Sequence, residues 1–204
     1  MGTTKPKQTF SWMNPKLEVK RTDKYGKEIL PVFVGNRKVY KKYGKFGEGV
    51  FAKNNIKKEE VLIVMGGYIL TIEDENNLKG IVANKPIEIS ENFSIGPLDP
   101  TDIKLMPQHY VNHSCDPNAG FNGQIFMVAM RNIKKNEEIV YDYAMVMHPN
   151  KESNSFFKIK CLCGSKKCRG YITEDDWKIP ELQKRYNGYF QYFLQEKINK
   201  LKEK

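Results

Sequence analysis

The chain has 204 residues, 40% hydrophobic and 28% charged, which suits one domain with a core of its own, with or without a small appendage. Its net charge of +10 points to an anionic partner or surface and says nothing about fold. No apolar run approaches a membrane span, and no apolar stretch near the N-terminus reads as a secretory leader. Met1-Gly2 is followed by Pro6 rather than Ser or Thr, so myristoylation is not expected either. The expected location is therefore intracellular, in cytoplasm or nucleus, where four cysteines point to metal binding or catalysis before disulfides.

Residues 1–15 read as a polar lead-in. Residues 16–45 carry ten Lys or Arg against Glu18, Asp23 and Glu28, a local charge of +7. Strand-like patches lie within it at 17–19, 32–34 and 38–40. This basic segment is either a solvated face on ordinary strands or a footprint for an anion such as nucleic acid. Short strands are then expected at 49–52, 61–70, 87–90, 93–96, 125–129 and 138–143, punctuated by Gly-Gly, Asn-Asn, Asn-Gly and prolines. Many short strands without βαβ alternation predict a mainly β, β-rich α+β domain and exclude a doubly wound sheet. In the tail, Asp175-Asp176 can cap a helix running through Pro180 to Tyr186 and stopping at Gly188. Phe190, Phe193, Leu194, Ile198 and Leu201 then fall at helical spacing, an amphipathic helix expected to pack on the domain.

The loop YVNHSCDPNAGF, residues 110–121, is dense in turn formers, yet sets an amide, an imidazole, a hydroxyl and a thiol side by side in Asn112, His113, Ser114 and Cys115. Further on, CLCGSKKC supplies Cys161, Cys163 and Cys168 as C-x-C-x4-C, with Gly164 for a tight turn. A closed tetrahedral zinc site needs four ligands, and Cys115 is the remaining cysteine of the chain, so the count closes on one S4 site. The competing reading is a set of reduced cysteines, or one redox pair with two left over.

NHSCDPN, followed by EEIVYDYA at 137–144 and CLCGSKKCRGYI at 161–172, resembles the SET-domain protein-lysine methyltransferases that carry a zinc-binding post-SET segment. GKFGEGVFAKNNIKKEEVLIVMGG, residues 44–67, resembles that family's opening. The resemblance covers about residues 44–172, with four motifs in the family's order. Where many of these proteins carry Arg-Phe three and two places before the Asn, this chain has His109 and Tyr110, and residues 17–43 have no evident counterpart.

The resemblance implies a SET fold of small sheets whose loop threads beneath a neighbouring segment as a pseudo-knot. It implies a basic region at 1–43, a SET domain at 44–148, a post-SET segment at 149–173 and a helical tail at 174–204. The implied reaction moves a methyl from S-adenosylmethionine to a lysine ε-amine, with positioning as the main catalytic device. Tyr143 resembles the family's catalytic hydroxyl, and Tyr141, two residues earlier on the same expected strand, its Phe/Tyr switch for the number of methyls added. A tyrosine there implies mainly mono- or di-methylation. Gly47, Glu48, Gly49, Tyr110, Asn112 and His113 are the implied cofactor contacts, and Cys115, Cys161, Cys163 and Cys168 the implied zinc ligands. Phe156 and Phe157 either wall the lysine channel or simply pack. Taken alone, Tyr143 reads as a strand aromatic and His113 as a core histidine. The implied partner is a protein substrate, a histone or nucleosome among the candidates, with nucleic acid against the basic region. Two readings compete: a catalytically inactive SET module that binds chromatin or nucleic acid, and a bare zinc-stabilised nucleic-acid-binding domain.

Overall fold

A computed structural model describes residues 21–22, 28–29, 32–34, 38–45, 47–148 and 158–203. The patch expected at 17–19 and the two phenylalanines Phe156 and Phe157 lie outside them. The chain divides into two compact units, Met1–Pro31 and Val32–Lys204. In the first, β1 (Arg21–Thr22) pairs antiparallel with β2 (Glu28–Ile29).

The second unit holds the strands and helices that build the site. It begins with β3 (Val32–Val34), β4 (Val39–Gly44), β5 (Gly47–Ala52) and β6 (Val61–Thr71). Helix α1 (Ile72–Asn77), β7 (Ile87–Glu88), β8 (Phe93–Gly96) and helix α2 (Pro100–Leu105) follow. Next come β9 (Asn112–His113), β10 (Ala119–Asn122), β11 (Phe126–Ala129) and β12 (Glu138–Tyr141). The hairpin strands β13 (Lys158–Lys160) and β14 (Tyr171–Thr173) precede α3 (Pro180–Arg185) and α4 (Tyr192–Lys202). One sheet runs β10-β11-β6-β8-β7 with β3 also on β6, and a second runs β4-β5-β12-β9. No described helix is long and apolar enough to cross a membrane.

Strand β6 serves both halves of the first sheet, pairing β11 through Val61–Val64 and β8 from Tyr68 onward. The change of partner falls at Gly66-Gly67. Gly67 has φ +143, and a Cβ there would stand 2.6 Å from the Gly96 carbonyl oxygen, so only glycine fits. Both α1 and α2 begin with capping boxes, Thr71 with Asp74 and Asp99 with Asp102.

The inner faces of the sheets bury Val50, Leu62, Ile63, Phe121, Met127, Ile139 and Tyr141 in one core. The tail closes that core with Trp177, Leu182, Tyr186, Phe190, Leu194 and Ile198. It differs in detail from the sequence expectation. Asp176 caps nothing; it lies buried in a short 3-10 turn, and the helix starts afresh at Pro180. Helix α4 starts at Tyr192, so Phe190 packs from the preceding turn, while Leu201 near the helix end stays 48% exposed. The strand expected over 138–143 stops at Tyr141, because the Asp142 carboxylate accepts the Ala144 N–H and starts a 3-10 turn at Tyr143.

A short 3-10 turn over Pro107–Tyr110 leads into β9 and carries His109, whose Nε2 is buried without a hydrogen-bond partner. Burial, helped by the charge of Lys85, holds its pKa down to about 4. The folded state thus keeps this ring neutral while the unfolded chain takes up a proton below about pH 6.5. Stability contributed by the neutral ring is present above that value and is lost as pH falls from about 6.5 towards 4. His109→Leu should therefore flatten the fall in urea midpoint between pH 7 and pH 4.5; an unchanged slope would clear His109 of that role.

Candidate active site and metal centre

The site forms where β9 lies parallel to β12, with Asn112 opposite Val140 and His113 opposite Tyr141. This pairing draws the NHSC loop against the end of the strand that carries the two tyrosines. The Asn112 Nδ2 donates to the Glu48 carbonyl at 3.1 Å and to Glu138 Oε1 at 2.8 Å, tying β9 to β5 and β12. Gly49 permits this approach: a Cβ there would lie 2.5 Å from Glu138 Oε1 and 3.2 Å from Asn112 Nδ2. Gly47, with φ +98, closes the β4–β5 ribbon opposite Gly44. Lys41 reaches over the Tyr110 ring, 4.2 Å from its centroid, and pairs with Glu48 at 2.7 Å. All six expected cofactor contacts thus lie on β5, on β9 or at the turn leading into it.

Tyr141 and Tyr143 meet with ring centroids 5.1 Å apart, although Tyr143 stands in the 3-10 turn rather than on the strand. Tyr141 packs edge-on to Phe121 at 5.6 Å, and Tyr143 edge-on to His113 at 5.1 Å. Burial raises both phenols above their usual range, so each is a neutral O–H that donates or accepts a hydrogen bond.

Cys161, Cys163 and Cys168 lie in the loop closed by the β13–β14 hairpin, where the Cys161 N–H donates to the Gly170 carbonyl at 2.8 Å. Cys115, Cys161 and Ile172 form a separate small buried cluster, with Cys163 and Cys168 packed against it. Zinc–sulfur bonds of about 2.3 Å at tetrahedral angles place sulfurs about 3.8 Å apart. The Cys115 and Cys161 sulfurs are 3.8 Å apart, so the thiols fit such an ion. Burial pushes the Cys115 thiol up to about 11 and raises Cys161 as well; Cys163, despite burial, is drawn down to about 6 by hydrogen bonds from Cys115 and Ser165. A cation bound among them would make the thiolate the preferred form at Cys115 and Cys161 too. A cavity of about 220 Å³ lies between the two loops, touched by His113, Asn118, Glu138 and Cys163.

The family model for the SET domain matches residues 47–144. This chain carries a SET domain over those residues. It is similar to a histone-lysine N-methyltransferase, H3 lysine-4 specific, of Chaetomium globosum, 30% identical over 138 residues, 61% of this chain and 12% of that protein. With human histone-lysine N-methyltransferase 2B it shares 28% over 143 residues, 62% of this chain and 5% of the other. With the H3 lysine-9 specific dim-5 of Neurospora crassa it shares 28% over 118 residues, 48% and 32% of the two chains. The chain therefore spans less than a third of the length of each of these relatives.

Four residues to which the sequence motifs gave no role at the site converge beside the tyrosines, and of these Asp142 alone lies within residues 47–144. Asp142 is fully buried, and Arg169 grips it by both terminal nitrogens at 2.5 and 2.8 Å. Tyr186, from just past α3, donates its hydroxyl to Asp142 at 2.9 Å, and Asp176 accepts from Arg169 at 2.8 and 3.1 Å. The one sequence signal for Arg169 is its place directly after Cys168; nothing local in the sequence marks Tyr186 or Asp176. Of the basic stretch, Lys38 is paired with Glu60 and Lys41 with Glu48, while Lys42 lies over the Phe51 ring.

Among the described residues, His113, Cys115, Cys161 and Cys163 form a metal-competent group whose ligand atoms lie within 4.8 Å of one another, so His113 stands where Cys168 was expected. The imidazole tautomer separates the two sets. His113 Nδ1 accepts the Tyr143 N–H at 3.2 Å, which puts the ring proton of the neutral form on Nε2. That Nε2–H faces the Cys115 sulfur at 3.3 Å, where it would donate to a thiolate rather than ligate an ion. Cys168 lies close by, its sulfur accepting the Gly170 N–H at 3.4 Å. His113→Gln is therefore expected to keep one zinc per chain, weakened about 10–100-fold as for a lost outer-shell bond. Cys168→Ser should lose the ion at micromolar zinc; the reverse order in a chelator competition would make His113 the ligand.

Proposed function

We propose that this chain is an S-adenosylmethionine-dependent protein-lysine N-methyltransferase with zinc on Cys115, Cys161, Cys163 and Cys168. The observation that carries the reading is the Tyr141–Tyr143 pair set against His113 of the NHSC loop, inside a matched SET domain. The bound cofactor supplies a methyl on a sulfonium, which a lysine ε-nitrogen takes as the S–C bond breaks, leaving S-adenosylhomocysteine and a methylated ammonium. Gly47, Glu48, Gly49, Tyr110, Asn112 and His113 hold the cofactor. Tyr143 turns the amine's lone pair towards the methyl, and its raised pKa keeps it a hydrogen-bonding hydroxyl, so the amine's proton leaves to water rather than to a phenolate. Lysine, cationic near neutral pH with a pKa about 10.4, is driven towards the neutral nucleophile by the aromatic surroundings and by a nearby sulfonium.

The substrate class follows from the relatives, whose names give histone H3 lysines as targets, so a histone tail in the nucleus is the proposed substrate. The basic β4 ribbon would then lie against nucleosomal DNA, with part of its charge already neutralised by Glu48 and Glu60.

The tyrosine pair also sets how many methyls are added. Tyr141 is 6% exposed, and its hydroxyl occupies room beside the amine that further methyls would need. An unpaired polar partner costs about 1–3 kcal/mol, enough to bias the product by about tenfold. Intact-mass analysis of a single-lysine peptide run to completion should show mainly mono- and di-methyl product. Tyr141→Phe should raise the degree of methylation and keep much of the rate, whereas Tyr143→Phe should lose most of the rate with the product unchanged. Cofactor binding by calorimetry with no transfer to any histone would leave an inactive SET module; abundant trimethyl product from the unmutated chain would refute the role given to Tyr141.

A further inference from the structure

The metal loop does not touch the reacting atoms, yet one largely buried side chain links it to the tyrosines. Arg169 follows Cys168 directly. Its backbone N–H donates to the Cys115 sulfur at 3.4 Å, so the peptide belongs to the thiol cluster. Its guanidinium points the other way and meets Asp142, the residue between Tyr141 and Tyr143.

Asp142 is filled to capacity. A carboxylate offers about four acceptor sites. Oδ2 accepts from Arg169 Nη1 at 2.5 Å and from the Tyr186 hydroxyl at 2.9 Å; Oδ1 accepts from Arg169 Nη2 at 2.8 Å and from the Ala144 N–H at 3.0 Å. The last of these bonds holds the 3-10 turn that carries Tyr143. Arg169 is also fixed from behind, because Asp176 accepts from Nε and Nη2 while its other oxygen takes the Thr173 hydroxyl at 2.7 Å. A planar fork between two carboxylates has little freedom to tilt, so a shift of the metal loop is passed to Asp142 and from there to Tyr143.

We infer that Arg169 is the positioning residue through which the state of the metal loop sets the geometry of Tyr143. Methyl transfer is then sensitive to zinc loss or to oxidation of the thiols, although neither event reaches the reacting atoms directly. The inference rests on the proposed function for its catalytic consequence but not for its structural one.

The test compares two ties between the same loops. Arg169→Lys keeps the charge and loses the fork; Lys167→Ala removes the exposed Lys167–Asp116 pair, 2.8 Å long, which joins the metal loop to the NHSC loop at the surface. With the full chain, Arg169→Lys is expected to retain one zinc and near-normal cofactor affinity, while the Tyr143 and Ala144 amides exchange about tenfold faster or more. Its kcat on a histone peptide should fall roughly 10–100-fold with little change in KM, the signature of lost alignment rather than lost binding. Lys167→Ala should match the unmutated chain in every measurement. Unchanged exchange in Arg169→Lys overturns the inference, as does faster exchange with full kcat. Zinc loss that tracks the fall in kcat, or an equal fall in Lys167→Ala, overturns it too, because the loop as a whole is then the cause. If the unmutated chain transfers no methyl, the functional reading fails, and amide exchange alone decides the coupling.

Discussion

A carboxylate at zero exposure, Asp142, organises the C-terminal half of this molecule. A buried charge is tolerated only when it is paired and its remaining acceptor sites are filled. The donors that meet this demand come from well-separated parts of the sequence: Arg169 after the last cysteine, Tyr186 past α3, and Ala144 from the turn itself. Removing any one leaves a polar group stranded in a medium without water, so the strand end, the metal loop and the tail are obliged to meet.

Two kinds of core support that meeting. The larger is apolar, with sheet residues such as Phe121 and Ile139 closed over by Trp177, Leu194 and Ile198 of the tail. The smaller consists of thiols, with Ile172 as its one fully buried aliphatic member among the described residues. So little apolar area cannot order the 161–168 loop, and a metal bound to sulfur can supply the missing free energy. The 3.8 Å spacing of the Cys115 and Cys161 sulfurs and the donors aimed at Cys115 from His113 and Arg169 accord with that division of labour.

The polar face of the NHSC loop has the same logic. Asn118, 1% exposed, donates to Glu137 Oε1 and the Glu138 carbonyl and accepts the Val140 N–H, so its amide pairs with β12 as a strand neighbour would. Asn112 performs the corresponding task between β5 and β12. A loop dense in turn formers can therefore lie inside the molecule, because its side chains satisfy the backbone that β-pairing would otherwise serve.

What the sequence determined by itself is local or countable. The mainly β class, the strands at 93–96 and 32–34 and the clustering of Cys115 with Cys161 and Cys163 follow from periodicity, turn formers and ligand count. The two short helices α1 and α2 were not among the expected elements; their capping boxes at Thr71 and Asp99 came to light in the structure. The tertiary structure alone decided the roles that depend on partners distant in the chain. Asp176 looked like a helix cap and became the second acceptor for Arg169; Tyr143 looked like a strand residue and entered a turn because Asp142 captured the Ala144 N–H. His113 drew near the thiols, and only its bond from the Tyr143 N–H, 30 positions away, shows which ring nitrogen carries the proton. Local sequence encodes backbone preference and hydrophobic period, whereas the partner of a buried charge is set by which segments the fold brings into contact, and no short-range pattern carries that information.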